Sequence, residues 1–248
     1  MIRQVLLTVS ESKRLIARAV AQMEAVRRAR SEGILVICTG TTNGYLLEEL
    51  LGKPIDKRAY RTGTTAPKEP ERCGLPEPPR IPDVVFRRGE IAPDLNRFTA
   101  VRLMGSGDVF VKGANALDYN RKIAGILVGG SDGGTIGNAI GRLVGGRVQL
   151  IIPVGLEKLV YGDVLELSRK TVQPEATGPT LFPVSIGTIV TEIEALRLLA
   201  GVEATLIASG GIAGAEGAVR LLLEGDAAQV ERALTIVSGI QGEPRFLL

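Results

Sequence analysis

The stretch from 108 to 160 constrains this chain more than any other. It reads DVFVKGANALD, then AGILVGGSDGGTIGNAIG, then RVQLIIPVGLEKLV. Three short apolar runs each end in a glycine-rich or polar loop, the pattern of buried strands in an α/β sheet. Where such strands run parallel in an open sheet, ligands bind in the crevice at their carboxyl ends. The sequence thus predicts where a ligand site lies before it says what the ligand is.

The flanking sequence extends the same architecture. QVLLTVS reads as a strand. Leu15, Ile16, Ala19, Val20, Met23 and Val26 then fall at helical spacing over 11–30, with Ser10 as N-cap and Gly33 as the stop. ILVIC (34–38) is a continuous buried strand, 39–44 a loop, and 45–51 a short helix ended by Gly52. From 53 to 96 the texture changes, because eight of the thirteen prolines lie between Pro54 and Pro93. Val84, Val85, Phe86 and the region before Ile91 suggest a short edge strand there. A loop of this length is functional or mobile. It stands as a cover over the cleft, as an interface with a second copy in a homo-oligomer, or as a plain surface loop. Arg58, Arg61, Arg87, Arg88 and a second RTGTT run (61–65) are its charged and hydroxyl groups.

Beyond 181 the elements alternate. VSIGTIV is a strand, EIEALRLLAG a helix, and EATLIASGG and GAVRLLLEG two strands joined by a GIAGAEG turn. DAAQVERALTIVSGI is a helix capped by Asp226. This β-α-β-β-α order is that of a ferredoxin-like domain. The expected fold is α/β. A mostly parallel Rossmann-like sheet spans 1–161 with an irregular excursion at 53–96, and a smaller C-terminal ferredoxin-like α+β domain spans 181–248.

Composition removes several function classes. The chain has no histidine among its 248 residues, so catalytic triads, imidazole ligands and histidine acid–base chemistry are excluded. Of its two cysteines, Cys38 sits in an apolar run as a small hydrophobe and Cys73 in the proline-rich loop. No spacing suggests an iron–sulfur cluster, no metal site is expected, and no cofactor is specified. A net charge of +3 without a basic run argues against nucleic acid as a partner. No apolar run nears the roughly 18 residues of a membrane span. The start, MIRQVLLTVSESKRL, lacks the long apolar core of a signal peptide, so a cytoplasmic location is the default expectation.

Three loops make up the candidate site for a small anionic metabolite. In TGTTNG, the residues Thr39, Gly40, Thr41, Thr42 and Asn43 end a strand and open a helix, where backbone N–H groups suit an anion. No GK[ST] ending follows, so this is not a Walker A loop. In KGANALD, Lys112 supplies charge, Gly113 close approach and Asn115 a donor and an acceptor. In GGSDGGTIG, the residues Gly130, Ser131, Gly133, Gly134 and Thr135 are candidate contacts and Asp132 the candidate acid or base. Each loop also has a plainer reading, as a capped turn or a solvated surface. Gly137, Gly141 and Gly145, four apart, read as a helix lying close to the sheet. Glu157 reads as helix-terminal, with a role at the site as the alternative, and KEPER (68–72) as a solvated face.

GANA after a strand, a glycine-rich turn and a strand ending IPVGLEKLV together resemble the lactate-utilisation (LUD) domain. More broadly they resemble the superfamily of ribose-5-phosphate isomerase, glucosamine-6-phosphate deaminase and CoA transferases, which also place a Gly-Thr/Ser-rich loop after an early strand. The likeness covers 33–51 and 100–160. It implies a Rossmann-like core and a phosphorylated, nucleotide or CoA-like ligand. The departures bear on chemistry. Where the isomerases carry Asp-Gly-Ala-Asp, this chain reads Lys112, Gly113, Ala114, Asn115, and asparagine cannot serve as a general base. Where they carry Lys-Gly-Gly, it reads Val128, Gly129, Gly130. Two function classes remain: a non-catalytic metabolite-binding or sensor protein, and an enzyme of sugar-phosphate isomerase or acyl-transfer type with Asp132 as its acid or base.

Overall fold

The structure, a computed structural model, describes residues 1–63 and 65–248. Thr64 of the second RTGTT run lies outside the described residues. Four parallel strands form the centre: β2 (Ile34–Ile37), β5 (Val109–Val111), β8 (Gln149–Pro153) and β10 (Thr188–Val190). Every residue of β2 and β5 is buried, as strands covered on both faces require. Two short antiparallel strands, β3 (Val84–Arg87) and β4 (Glu90–Ile91), continue the sheet beyond β2. The six-stranded order is β10-β8-β5-β2-β3-β4. The turn between β3 and β4 places Arg88 and Gly89 at φ 51 and 90, the left-handed geometry of a tight hairpin.

Two smaller sheets flank this one. β1 (Ile2–Leu7), β12 (Val219–Glu224) and β11 (Glu203–Ser209) form an antiparallel sheet in the order β1-β12-β11. β6 (Ala116–Asp118), β7 (Ile123–Val128) and β9 (Thr180–Val184) form another in the order β6-β7-β9. This corrects the expectation for the AGILV run. β7 leaves β6 through a hairpin in which Arg121 N donates to Asp118 Oδ1 and Lys122, at φ 54, closes the turn. So short a connection makes β7 antiparallel, since a parallel crossover needs about a dozen residues.

The helices are α1 (Val9–Gln22), α2 (Glu24–Glu32), α3 (Thr41–Leu51), α4 (Arg97–Leu103), α5 (Gly134–Gly145), α6 (Val164–Thr171), α7 (Glu192–Ala200) and α8 (Ala227–Ser238). The predicted 11–30 helix is two helices broken at Met23, where ψ is 132. Its cap is Thr8, not Ser10. The Thr8 hydroxyl accepts from Glu11 N while Thr8 N donates to Glu11 Oε2, a capping box. Gly33 does end α2, and Asp226 does cap α8.

The expected ferredoxin-like unit over 181–248 does not stand alone. Its strands are shared among all three sheets: β9 pairs with β7, β10 with β8, and β12 with β1. β12 alternates buried and open positions, and β1 completes that half-buried sheet at the other end of the chain. One large apolar core runs from Val5 to Ile240, and a small one beneath β6 and β7 gathers Ala116, Ile123, Val164 and Leu181. Among the described residues no helix is long and apolar enough to cross a membrane.

Candidate functional site

The carboxyl ends of β2 and β5 carry two of the three predicted loops side by side. Cys38 N donates to Val111 O at 3.0 Å. Asn43 then stitches the loops together, its Nδ2 donating to Cys38 O at 2.7 Å and reaching Val111 O at 3.4 Å. The helix begins earlier than the periodicity suggested, so Thr41, Thr42 and Asn43 form the first turn of α3. Amides in a first turn lack intrahelical acceptors, and no side chain caps this one. Thr42 and Asn43 are buried, and Asn43 Oδ1 is a buried acceptor without a partner.

The proline-rich segment lies against this edge. Gly40 N donates to Tyr60 O, and the Thr39 and Thr62 hydroxyls meet at 2.6 Å. The Tyr60 hydroxyl donates to Ile37 O and accepts from Val84 N, which pins the segment to β2 and β3. Asp83 accepts from Thr39 N and is clasped by Arg97 Nη1 at 2.9 and 2.7 Å through its two oxygens. Arg61 is buried and paired with Glu77 at 2.7 Å. KEPER is exposed apart from its partly buried proline, and Glu71 pairs with Arg245.

Lys112 stands at the end of β5, partly buried, with Nζ donating to Gly113 O at 3.0 Å. Burial holds its ammonium below the usual lysine range; Arg97 adds to this while Cys38 and Asp83 oppose it. The Cys38 thiol is pushed far upward, first by burial and then by Asp83, so it is an inert core thiol. The cations Lys112 and Arg97 against Asp83 leave an excess of one positive charge beside the α3 N-terminus.

The third loop follows β7, which lies in another sheet, so the three loops do not open on one sheet edge. Asn115 provides the link: its Oδ1 accepts from Leu127 N at 3.0 Å and its N donates to Gly125 O. GGSDGGTIG therefore starts two residues beyond a contact with KGANALD. Asn115 itself is exposed and engaged by β7. Ser131 and Asp132 are exposed too, and Gly130 with them, while Gly133, Gly134 and Thr135 are half-buried at the start of α5. The Asp132 carboxylate accepts from Asn138 Nδ2 at 2.8 Å and Gly134 N at 2.9 Å. The Asn138 amide first, and then Gly134 N, hold its carboxyl below the usual range, so at neutral pH it is an ionised acceptor that ties the loop to the start of α5. None of the three glycines of the ladder meets the sheet: at Gly137 a Cβ would meet Asp132 O of the preceding loop at 2.8 Å. Gly141 and Gly145 face open space.

A second polar cluster, of which the sequence singled out only Glu157, lies at the carboxyl ends of β8 and β10. Glu157 sits in a 3-10 turn (Leu156–Lys158), and Glu192 opens α7. Glu192 is 0 % exposed and accepts from Leu156 N at 2.9 Å, while its Oε1 has no partner. Burial, reinforced by Glu157, lifts its carboxyl to about 7. Nothing in the local pattern marked Glu192, because TEIEALRLL reads as an ordinary capping box, and its Thr191–Glu194 pair is indeed one. Among the described residues no group of three or more histidine, cysteine or acidic side chains is placed to hold a metal ion. No protein-family model, curated protein or solved structure matches this chain.

Proposed function

We propose that this chain binds a small anionic metabolite, phosphorylated, nucleotide or CoA-like, at the carboxyl ends of β2 and β5. The observation that carries the reading is the adjacency of TGTTNG and KGANALD on neighbouring parallel strands of a mixed, mostly parallel six-stranded sheet. An uncapped helix N-terminus and the half-desolvated Lys112 meet there with one excess positive charge. The LUD-like order of motifs supports the same ligand class. A metabolite-binding or sensor role fits Asp132 better than catalysis does, because its carboxylate is already spent on Gly134 and Asn138.

The test is thermal shift and calorimetry with inorganic phosphate, nucleotides, sugar phosphates and CoA esters. At least one should raise the unfolding temperature. Lys112→Met should weaken that ligand about 10- to 100-fold, the loss of one charge-assisted hydrogen bond. Flat responses to every anion would end the proposal. The enzyme alternative gains only if Asp132→Asn keeps ligand affinity and abolishes a measured turnover.

A further inference from the structure

We propose that the amino ends of the parallel strands form a docking surface for an extended acidic segment of a partner protein. The segment seats one apolar side chain in a groove beside β8 and β10 and lays its carboxylates along a row of arginines. This surface lies at the opposite edge of the sheet from the anion site and does not depend on it.

The arginines come from elements that end or turn where these strands begin. The last turns of α2 carry Arg27, Arg28 and Arg30 and lead into β2. Arg87 lies opposite Ile34, the first residue of β2, and Arg88 follows it in the β3–β4 turn. Arg88 N donates to Gly33 O at 2.9 Å and Gly89 N to Arg30 O at 2.8 Å, which fastens that turn to the end of α2. Arg102 stands near the end of α4, and Arg142 Nε of α5 donates to Met104 O just beyond it at 2.8 Å. Arg147 lies between α5 and β8. All but Arg30 are exposed. Eight arginines against four acids, Glu24, Glu32, Glu90 and Asp108, leave +4 on these elements, while the whole chain carries only +3. Among the described residues none of the eight is in an ion pair, whereas Arg61 and Arg97 on the carboxyl side each hold a carboxylate. Arg88 and Arg147 sit at φ 51 and 53, left-handed backbone that favours glycine. Long side chains kept there cost stability, and neither has a carboxylate partner in the fold to offset it.

The groove opens at the same edge. Leu143, Val144, Val148, Leu150 and Ile186 line a space of about 300 Å³ beside the first residues of β8 and β10. Val144 is 58 % exposed and Ile186 38 %, so its apolar wall is open to solvent. Arg142 and Arg147 bracket the α5 side of this lining in sequence. An apolar pocket bordered by arginine and not by lysine has the make-up of a protein interface, where arginine is enriched and lysine depleted. Charge complementarity then assigns an acidic occupant. A nucleic-acid strand would need aromatic side chains to stack on, and none lines the groove. A second copy meeting this edge with its own would bring the same positive charge and be repelled. From β10 to β3 is four strand intervals, about 19 Å, which about six or seven extended residues span. A segment of that length reaches from the groove to Arg88.

The experiment is fluorescence anisotropy of the intact chain with a labelled peptide of one leucine followed by six glutamates, and with its serine-headed counterpart. The leucine peptide should bind, and about fivefold more weakly when salt is raised from low to physiological ionic strength. The serine peptide should bind about tenfold more weakly than the leucine peptide, the loss of one buried aliphatic side chain. Arg88→Gly combined with Arg147→Gly should weaken the leucine peptide about tenfold without lowering the unfolding temperature, because glycine suits both backbone positions. If that double variant does not fold, the contrast between the two peptides on the native chain decides alone. No binding, or equal binding of the two peptides, overturns the proposal. So does a DNA or RNA strand of matching charge that binds more tightly and loses affinity in the double variant. A dimer seen by sedimentation that Val144→Asp dissociates would give the groove to a second copy and overturn it as well.

Discussion

Glu192 makes the pH behaviour of this chain unusually easy to read. Its carboxyl is lifted from 4.5 to about 7 by burial and by Glu157. The folded state thus holds this proton more tightly than the unfolded state. The resulting stability is fully present below about 4.5 and lost as pH rises through 7, on the order of 3 kcal/mol across that window. The chain has no histidine to titrate in this interval. Wild-type unfolding temperature should fall over this interval and Glu192→Gln should flatten the curve, because the amide still accepts from Leu156 N and never ionises. An unflattened curve would locate the titration elsewhere. Lys13 acts with the opposite sense at higher pH. Its folded value, lowered by burial, makes stability rise from about 8 toward 10.5, and Lys13→Met should shrink that limb to the part that the likewise lowered Lys112 contributes. Neither group was visible as a titrating site in the sequence. Desolvation is a property of packing, and Lys13 and Glu192 sit in ordinary amphipathic helix patterns. Asp132 is the reverse case. A glycine-flanked aspartate suggests a ligand contact, yet its partners Gly134 and Asn138 lie only two and six residues on, so its carboxylate serves the local turn.

At the scale of elements, the α5 glycines separate two effects that the sequence merged. Gly137 lets Asp132 O approach to within 2.8 Å of where a Cβ would stand, so Gly137→Ala must push the loop off the helix start. It should cost about 1–3 kcal/mol in chemical denaturation. Gly141 is helical, with nothing within 4 Å of its Cβ position, so Gly141→Ala should instead stabilise by about 0.5–1 kcal/mol. Equal effects at the two positions would refute this division. Thr8→Ala, which removes the capping-box hydroxyl of α1, should cost about 1 kcal/mol. The strands β2, β5 and β8 and the helix α8 were legible because continuous apolar runs and an aspartate cap are local signals. The sheet membership of β7 was not. An apolar run of AGILV suits a buried strand in either sheet, and only the Asp118–Lys122 turn decides between them. That single turn removes one of three loops from the parallel edge and leaves TGTTNG and KGANALD as neighbours.

For the whole molecule, the placement of the last 68 residues decides whether it unfolds as one body. An element order can be read from local periodicity, but a domain boundary depends on which strands pair, and pairing is non-local. Here β10 takes its hydrogen bonds from β8, β9 from β7, and β12 joins β1 to β11. Cut at 181, the C-terminal piece would keep only the β11–β12 hairpin with α7 and α8. β12, whose Val219, Leu221 and Leu223 are buried in the intact chain, would lose its hydrogen-bonded neighbour β1. A two-stranded hairpin is marginal by itself. A fragment of 181–248 should therefore show little ordered structure by circular dichroism. The intact chain should unfold with one midpoint by far-UV circular dichroism and by tyrosine fluorescence, since the buried Tyr45 and Tyr60 report from the other end of the sequence. Two separated midpoints, or a fragment that folds cooperatively, would show that the C-terminal strands hold together without the sheets they complete.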